Sequence, residues 1–114
     1  MVQRYDVGSR LSEMAVHNGT VYLAGQVPTD ASADVAGQTQ QVLDQIDALL
    51  ARAHTDKSRL LMVQIFLQDL ADFPAMNAVY DQWVAEGNAP PRATVQARLA
   101  NPDWKLEIVA TAAL

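Results

Sequence analysis

Leu60-Leu61-Met62-Val63-Gln64-Ile65-Phe66-Leu67 is the stretch on which the fold turns. Eight residues rich in β-branched side chains are too few for a helix, and every position except Gln64 is apolar. The spacing predicts a strand covered on both faces. In a regular strand Leu61, Val63, Ile65 and Leu67 point one way, and Leu60, Met62 and Phe66 the other.

Working upstream, Met14 to His17 and Thr20 to Val27 flank Asn18-Gly19, the dipeptide best suited to the positive φ values of a two-residue hairpin turn. Pro28 to Ala33 then reads as a loop. From Asp34 to Ala53 the positions Val35, Val42, Leu43, Ile46, Leu49, Leu50 and Ala53 recur at helical spacing, with Ser32 or Asp34 available as the cap. Downstream, Phe73, Met76, Tyr80, Trp83 and Val84 mark one face of a second helix that stops near Gly87-Asn88, before Pro90-Pro91. Arg92 to Leu99 and Trp104 to Ala112 then read as a second hairpin around Ala100-Asn101-Pro102-Asp103.

This order predicts an α+β domain spanning 1–114, a single mixed sheet with two helices on one face. Two helices cannot cover both faces of a sheet. Because the 60–67 strand is apolar on each side and no loop is long enough to lie over it, a partner subunit is the economical cover.

Composition narrows the function. Eight Lys and Arg against thirteen Asp and Glu leave a formal charge of −5, which argues against a nucleic-acid partner or an anionic membrane surface. The chain has no cysteine, so disulfides, thiolate metal sites and cysteine nucleophiles are excluded. No apolar run approaches the roughly 20 residues of a membrane span, and Met1 to Arg10 lacks the apolar centre of a signal peptide. The expectation is a cytoplasmic protein with no membrane association. His17 and His54 have no ligand partner at metal spacing, so no metal is expected. The glycines are dispersed rather than grouped in a phosphate-binding loop, and no serine sits in a nucleophile elbow.

What remains is the last pair of strands. Alternation puts Ala93, Val95, Ala97 and Leu99 on one face and Arg92, Thr94, Gln96 and Arg98 on the other. In the final strand Leu106, Ile108, Ala110 and Ala112 oppose Lys105, Glu107, Val109 and Thr111 in the same way. The aliphatic faces suit the helices, which assigns the polar faces to solvent or to the partner. If Leu99 lies opposite Trp104, then Gln96 faces Glu107 and Arg92 faces Thr111, leaving Arg92 and Glu107 roughly 13 Å apart. Arg92 follows two prolines that restrain the backbone, so its guanidinium can clamp a carboxylate bidentately or pair with an acid at an interface. Glu107 can hold a water or be that acid.

Four blocks together resemble the RidA (YjgF) family of reactive-intermediate deaminases: Val21 to Pro28, Ile65 to Phe73 continuing through Met76 to Tyr80, Pro90 to Val95, and Lys105 to Ala110. The resemblance implies a chorismate-mutase-like fold and a homotrimer with three clefts between subunits. It implies that Arg92 binds the carboxylate of a 2-imino acid or its enamine tautomer, that Glu107 holds the attacking water, and that Asn77 contributes to the same cleft, with no metal or organic cofactor. The chain departs from the family's best-known deaminases at Leu11, where they carry tyrosine, at Ala24, where they carry serine, and at Thr94, where they carry cysteine. The loss of two hydroxyls keeps open an alternative, a non-catalytic trimeric module that binds a small carboxylate or a protein through the same cleft. A ribonuclease role, also reported for the family, is at odds with the acidic charge and the absence of a histidine constellation.

Overall fold

Leu60–Leu67 lies inside the sheet, pairing with strands from two later parts of the chain. The computed structural model describes all 114 residues. In chain order the elements are β1 (Gln3–Tyr5), β2 (Met14–His17), β3 (Thr20–Leu23), α1 (Val35–Arg52), β4 (Leu60–Leu67), α2 (Phe73–Trp83), β5 (Arg92–Gln96) and β6 (Leu106–Ala113). The six strands make one mixed sheet in the order β1-β2-β3-β6-β4-β5. Both helices pack on one face of it, as the alternation of elements predicts.

Local chemistry accounts for most boundaries. Asn18 and Gly19 take φ values of 50° and 77°, the left-handed turn that closes β2 onto β3. Asp34 caps α1, its Oδ1 accepting from the Gly37 N–H at 2.8 Å, whereas Ser32 is engaged with Asp30. Helix α2 ends at Trp83, a turn short of Gly87. Strand β1 has no sequence signal of its own. It is held by pairing with β2, by the Arg52 guanidinium over the Tyr5 ring at 5.4 Å and by the Arg52–Asp6 ion pair, which lowers the Asp6 pKa through hydrogen bonding and charge.

The expected second hairpin does not form. β6 runs antiparallel between β3 and β4, and β5 pairs parallel with β4 at the sheet edge. A strand that is apolar on both sides is most stable with a neighbour along each edge, while the short, polar β5 tolerates the outside position. The nine residues from Ala97 to Lys105 give the chain the length to pass across β4.

A second departure lies inside β4. The register shifts between Leu60 and Met62, so Leu60 turns into the core while Leu61 is 48% exposed. From there Val63, Ile65 and Leu67 face the helices with Leu106, Ile108, Ala110 and Ala112, against Val42, Leu43, Ile46 and Leu50 of α1 and Met76 and Tyr80 of α2. The opposite face carries Tyr22, Thr111 and Met62 in one row and Glu107, Phe66 and Val95 in another. Tyr22, Met62 and Val95 are 52%, 42% and 47% exposed, an apolar surface that nothing in the chain covers. No helix is long and apolar enough to cross a membrane.

Gln38 ties the first helix to both loops that flank β6's approach. It is completely buried; its Nε2 lies 3.1, 3.1 and 3.2 Å from the carbonyls of Ala31, Ala33 and Asp103, and its Oε1 accepts from the Lys105 N–H at 2.8 Å. Gln38→Leu takes from these backbone groups their shared side-chain partner and puts a branched apolar chain in a polar cavity, and should lower unfolding free energy by at least about 2 kcal/mol in urea titration. A loss below about 0.5 kcal/mol would show that the loops hold without it.

Candidate active site

The cation of the site is placed by β5. Pro91 O accepts from the Val63 N–H at 3.0 Å, and Arg92 and Thr94 then stand beside Val63 and Ile65. Neighbours in a ladder share a face, and Val63 and Ile65 lie in the core. Arg92, Thr94 and Gln96 therefore point toward the helices, and Ala93 and Val95 toward the open side. This reverses the expected assignment, because β5 takes its register from β4 rather than from β6.

Above Arg92 runs α2, on which Phe73, Asn77 and Tyr80 fall at helical spacing on one side. The Arg92 Cζ lies 4.7 Å from the centroid of the Tyr80 ring and 5.8 Å from that of Phe73. The guanidinium is half-buried yet makes no ion pair, the chain's single one being Arg52 with Asp6. Three buried side-chain atoms lack a hydrogen-bond partner, and all three belong to this place: Asn77 Oδ1, Tyr80 Oη and Thr94 Oγ1. Burial pushes the Tyr80 pKa up, opposed by the positive charge of Arg92 and assisted by Asp81. Tyr80 is thus a neutral phenol at physiological pH. Unpaired polar atoms on the strand and helix that flank an unneutralised cation are costly in isolation and mark a place suited to an anionic, hydrogen-bonding ligand.

Glu107 lies on the other face. It pairs with Phe66 in the ladder, half-buried on the open side of the sheet. Arg92 and Glu107 are two strands and three residues apart, roughly 14 Å between backbones, with the sheet between their side chains. Gln96 does not face Glu107, nor Arg92 Thr111. The two residues cannot meet within one chain by reaching along a shared face, and a single chain encloses no pocket around either.

Around Glu107 the partner is backbone. Past β3, Gln26 exchanges backbone hydrogen bonds with Ile108 at 2.8 and 3.0 Å, which brings Gly25 beside Glu107. The Gln26 side chain donates to Ala24 O at 3.0 Å and to Glu13 Oε2 at 3.2 Å, and the Ala24 N–H donates to Glu13 O at 2.9 Å. Ala24 is half-buried in this corner, while Leu11, two residues before Glu13, is 56% exposed. The candidates thus divide into Arg92, Asn77 and Thr94 on the helix side and Glu107 on the other, with Ala24 in the segment that runs into Gly25 and Leu11 in the exposed segment before Glu13. No three His, Asp or Glu side chains converge in a way that would ligate a metal ion.

Sequence reasoning missed Phe73, Tyr80 and Gly25 as parts of the site. The Phe73–Asn77–Tyr80 spacing was visible, but it is indistinguishable from a helix's core stripe until Arg92 is placed beneath it. A Cβ on Gly25 would collide with the Glu107 carboxylate, whose Cδ would stand 2.9 Å away. Gly25→Ala should keep the fold while driving Glu107 into another rotamer, visible in a crystal structure of the variant. An unmoved Glu107 there would show that the close approach does not set its position.

Known proteins resemble this chain over most or all of its length. The model of the Endoribonuclease L-PSP family matches residues 1–114. A RutC family protein of Haemophilus ducreyi is 58% identical over 114 residues, covering 100% of this chain and 97% of that protein. The 3-aminoacrylate deaminase RutC of Acinetobacter baylyi is 38% identical over 98 residues, 81% of this chain and 77% of that one. The crystal structure of a YjgF family member from Neisseria meningitidis superposes with a TM-score of 0.96 at 42% identity, covering 99% of this chain and 94% of that one. The fold, the family model and these identities agree with the resemblance carried by the four sequence blocks, and the chain belongs to the YjgF/RutC family.

Proposed function

We propose that this chain hydrolyses short 2-imino acids, or their 2-enamine tautomers, to 2-keto acids and ammonia, in clefts between the subunits of a homotrimer. The observation that carries the reading is Arg92: half-buried, unneutralised, and set beside three unpaired polar atoms. A carboxylate is the planar anion that fits its fork. The activity named for the Acinetobacter baylyi relative is of the same class, since 3-aminoacrylate is an enamine bearing a carboxylate.

Arg92 and Glu107 lie on opposite faces of one sheet, so the site is completed when the open face of one copy docks beside the Arg92 edge of another. The uncovered Tyr22, Met62 and Val95 supply the apolar surface for that contact. With the carboxylate clamped, the adjacent C=N carbon is held near a water on Glu107. Water adds to the carbon as Glu107 passes its first proton to nitrogen, giving a carbinolamine; the hydroxyl's remaining proton then moves to nitrogen as the C–N bond breaks, so the carbonyl forms and ammonia departs with both protons of the water. No redox partner enters the balance, and the chain's own groups suffice without an organic cofactor.

Leu11 and Ala24 favour a second reading, a trimer that binds a small carboxylate or a protein without turning it over, because neither side chain has the hydroxyl that the family's best-known deaminases carry there. Imino acids generated in situ, with ammonia and keto-acid release followed with and without protein, separate the two. Two charge-assisted hydrogen bonds are worth roughly 3 to 5 kcal/mol together, so Arg92→Ala should lower kcat/KM by about a hundredfold to a thousandfold or more, and Arg92→Lys substantially. The trimer should survive both changes. Dissociation in Arg92→Ala, or activity and carboxylate binding within about twofold of the parent, would make Arg92 an interface residue instead.

Sedimentation equilibrium should give three times the 12.4 kDa chain mass at micromolar concentration. A stable folded monomer would overturn the inter-subunit cleft.

A further inference from the structure

We propose that the ring of Tyr80, assisted by Phe73, is what holds Arg92 ready for its ligand, making Tyr80 a positioning residue for carboxylate recognition. The inference rests on the reading of Arg92 as the carboxylate anchor.

An arginine side chain has many rotamers, and proteins commonly fix one by pairing it with an acid. That solution would occupy the N–H donors and cancel the charge a carboxylate needs. Here no acid pairs with Arg92. Pro90 and Pro91 restrain its backbone only. What touches the guanidinium is the face of Tyr80 at 4.7 Å and of Phe73 at 5.8 Å. An aromatic face attracts the cation through its quadrupole and leaves the hydrogen-bond donors free.

The ring is itself braced from the first helix. Tyr80 is 5% exposed and packs on Trp83, with centroids 5.7 Å apart at 52°. The Trp83 Nε1–H donates to Asp47 of α1 at 3.0 Å, and the Lys57 Nζ lies 5.2 Å from the Trp83 ring centroid on its face. The support thus runs from Asp47 through Trp83 and Tyr80 to Arg92. The Tyr80 hydroxyl has no partner, so the ring rather than the oxygen serves this purpose. Phe73, 38% exposed and farther from the cation, is the weaker support.

The test separates ring, hydroxyl and packing. Tyr80→Leu should raise KM about 5- to 30-fold while kcat stays within about twofold, because binding lost equally from ground and transition states appears in KM alone. Affinity for 2-oxobutanoate, a stable keto acid, should fall by the same factor. Tyr80→Phe keeps the ring and gives up only the hydroxyl's own contact with the ligand, so it should recover at least half, on a logarithmic scale, of what Tyr80→Leu loses in both measurements. In an Arg92→Ala background, Tyr80→Leu should cost less than about twofold more, since its effect passes through Arg92. Phe73→Leu, at a partly exposed position, should give a smaller loss of about 2- to 5-fold and serves if Tyr80→Leu does not fold.

Full additivity with Arg92→Ala would overturn the proposal, as would a Tyr80→Phe defect equal to that of Tyr80→Leu. If the parent protein neither deaminates nor binds 2-oxobutanoate, the functional reading fails, and NMR of the Arg92 Nε–H decides the positioning role alone. A resonance that moves toward the free-arginine position in Tyr80→Leu or Phe73→Leu supports it. One that does not move in either variant overturns it.

Discussion

The parallel pairing of β5 with β4 sets the arrangement of the site. Opposing Val63 to Arg92 turns a cation inward beneath α2, at the margin of an otherwise apolar layer. Had β5 paired with β6 in a hairpin, Arg92 and Glu107 would have shared a polar face. In the parallel arrangement β4 is flanked on both sides, and the chain's main polar groups are divided between the two surfaces of one sheet. That division is the physical ground for the proposal that the site is shared between copies.

Each half is held by a different kind of contact. Arg92 rests against aromatic faces, which desolvate a charge without neutralising it. Glu107 rests against Gly25, where only the missing Cβ gives it room, and Gly25 is in turn held by the Gln26–Ile108 bridge. Neither charge is spent in an internal ion pair. The unpaired Asn77, Tyr80 and Thr94 atoms show the same pattern: polar capacity left open where a fully optimised core would have closed it.

The exposed apolar face fits this division. Tyr22, Met62 and Val95 stand on the side of the sheet that carries Glu107, so covering them and completing the site would be one event. If the proposed trimer is built on that surface, assembly buries these side chains and so adds to the stability of the folded chain.

Much of the fold was legible in the sequence because its signals are local. Asn18-Gly19 specifies a turn by backbone sterics, Asp34 caps a helix by hydrogen bonding to Gly37, and the 3.6-residue spacing of Val42, Leu43, Ile46 and Leu50 marks a buried stripe. The 60–67 stretch could be read as a strand from composition alone, although one of its faces is open in the single chain. Arg92, Glu107 and Asn77 could be named as candidates, and four blocks pointed to the family to which the chain belongs. Tertiary structure decided what local signals do not encode. Alternation says that Arg92 and Thr94 share a face, but not which face, because that depends on the strand they lie beside. The register shift at Leu60–Met62 and the choice of β4 as partner for β5 are settled by burial across the whole sheet, among residues distant in the chain. For the same reason Tyr80 reads as a core residue in sequence and becomes the support of a cation only when β5 is laid beneath α2.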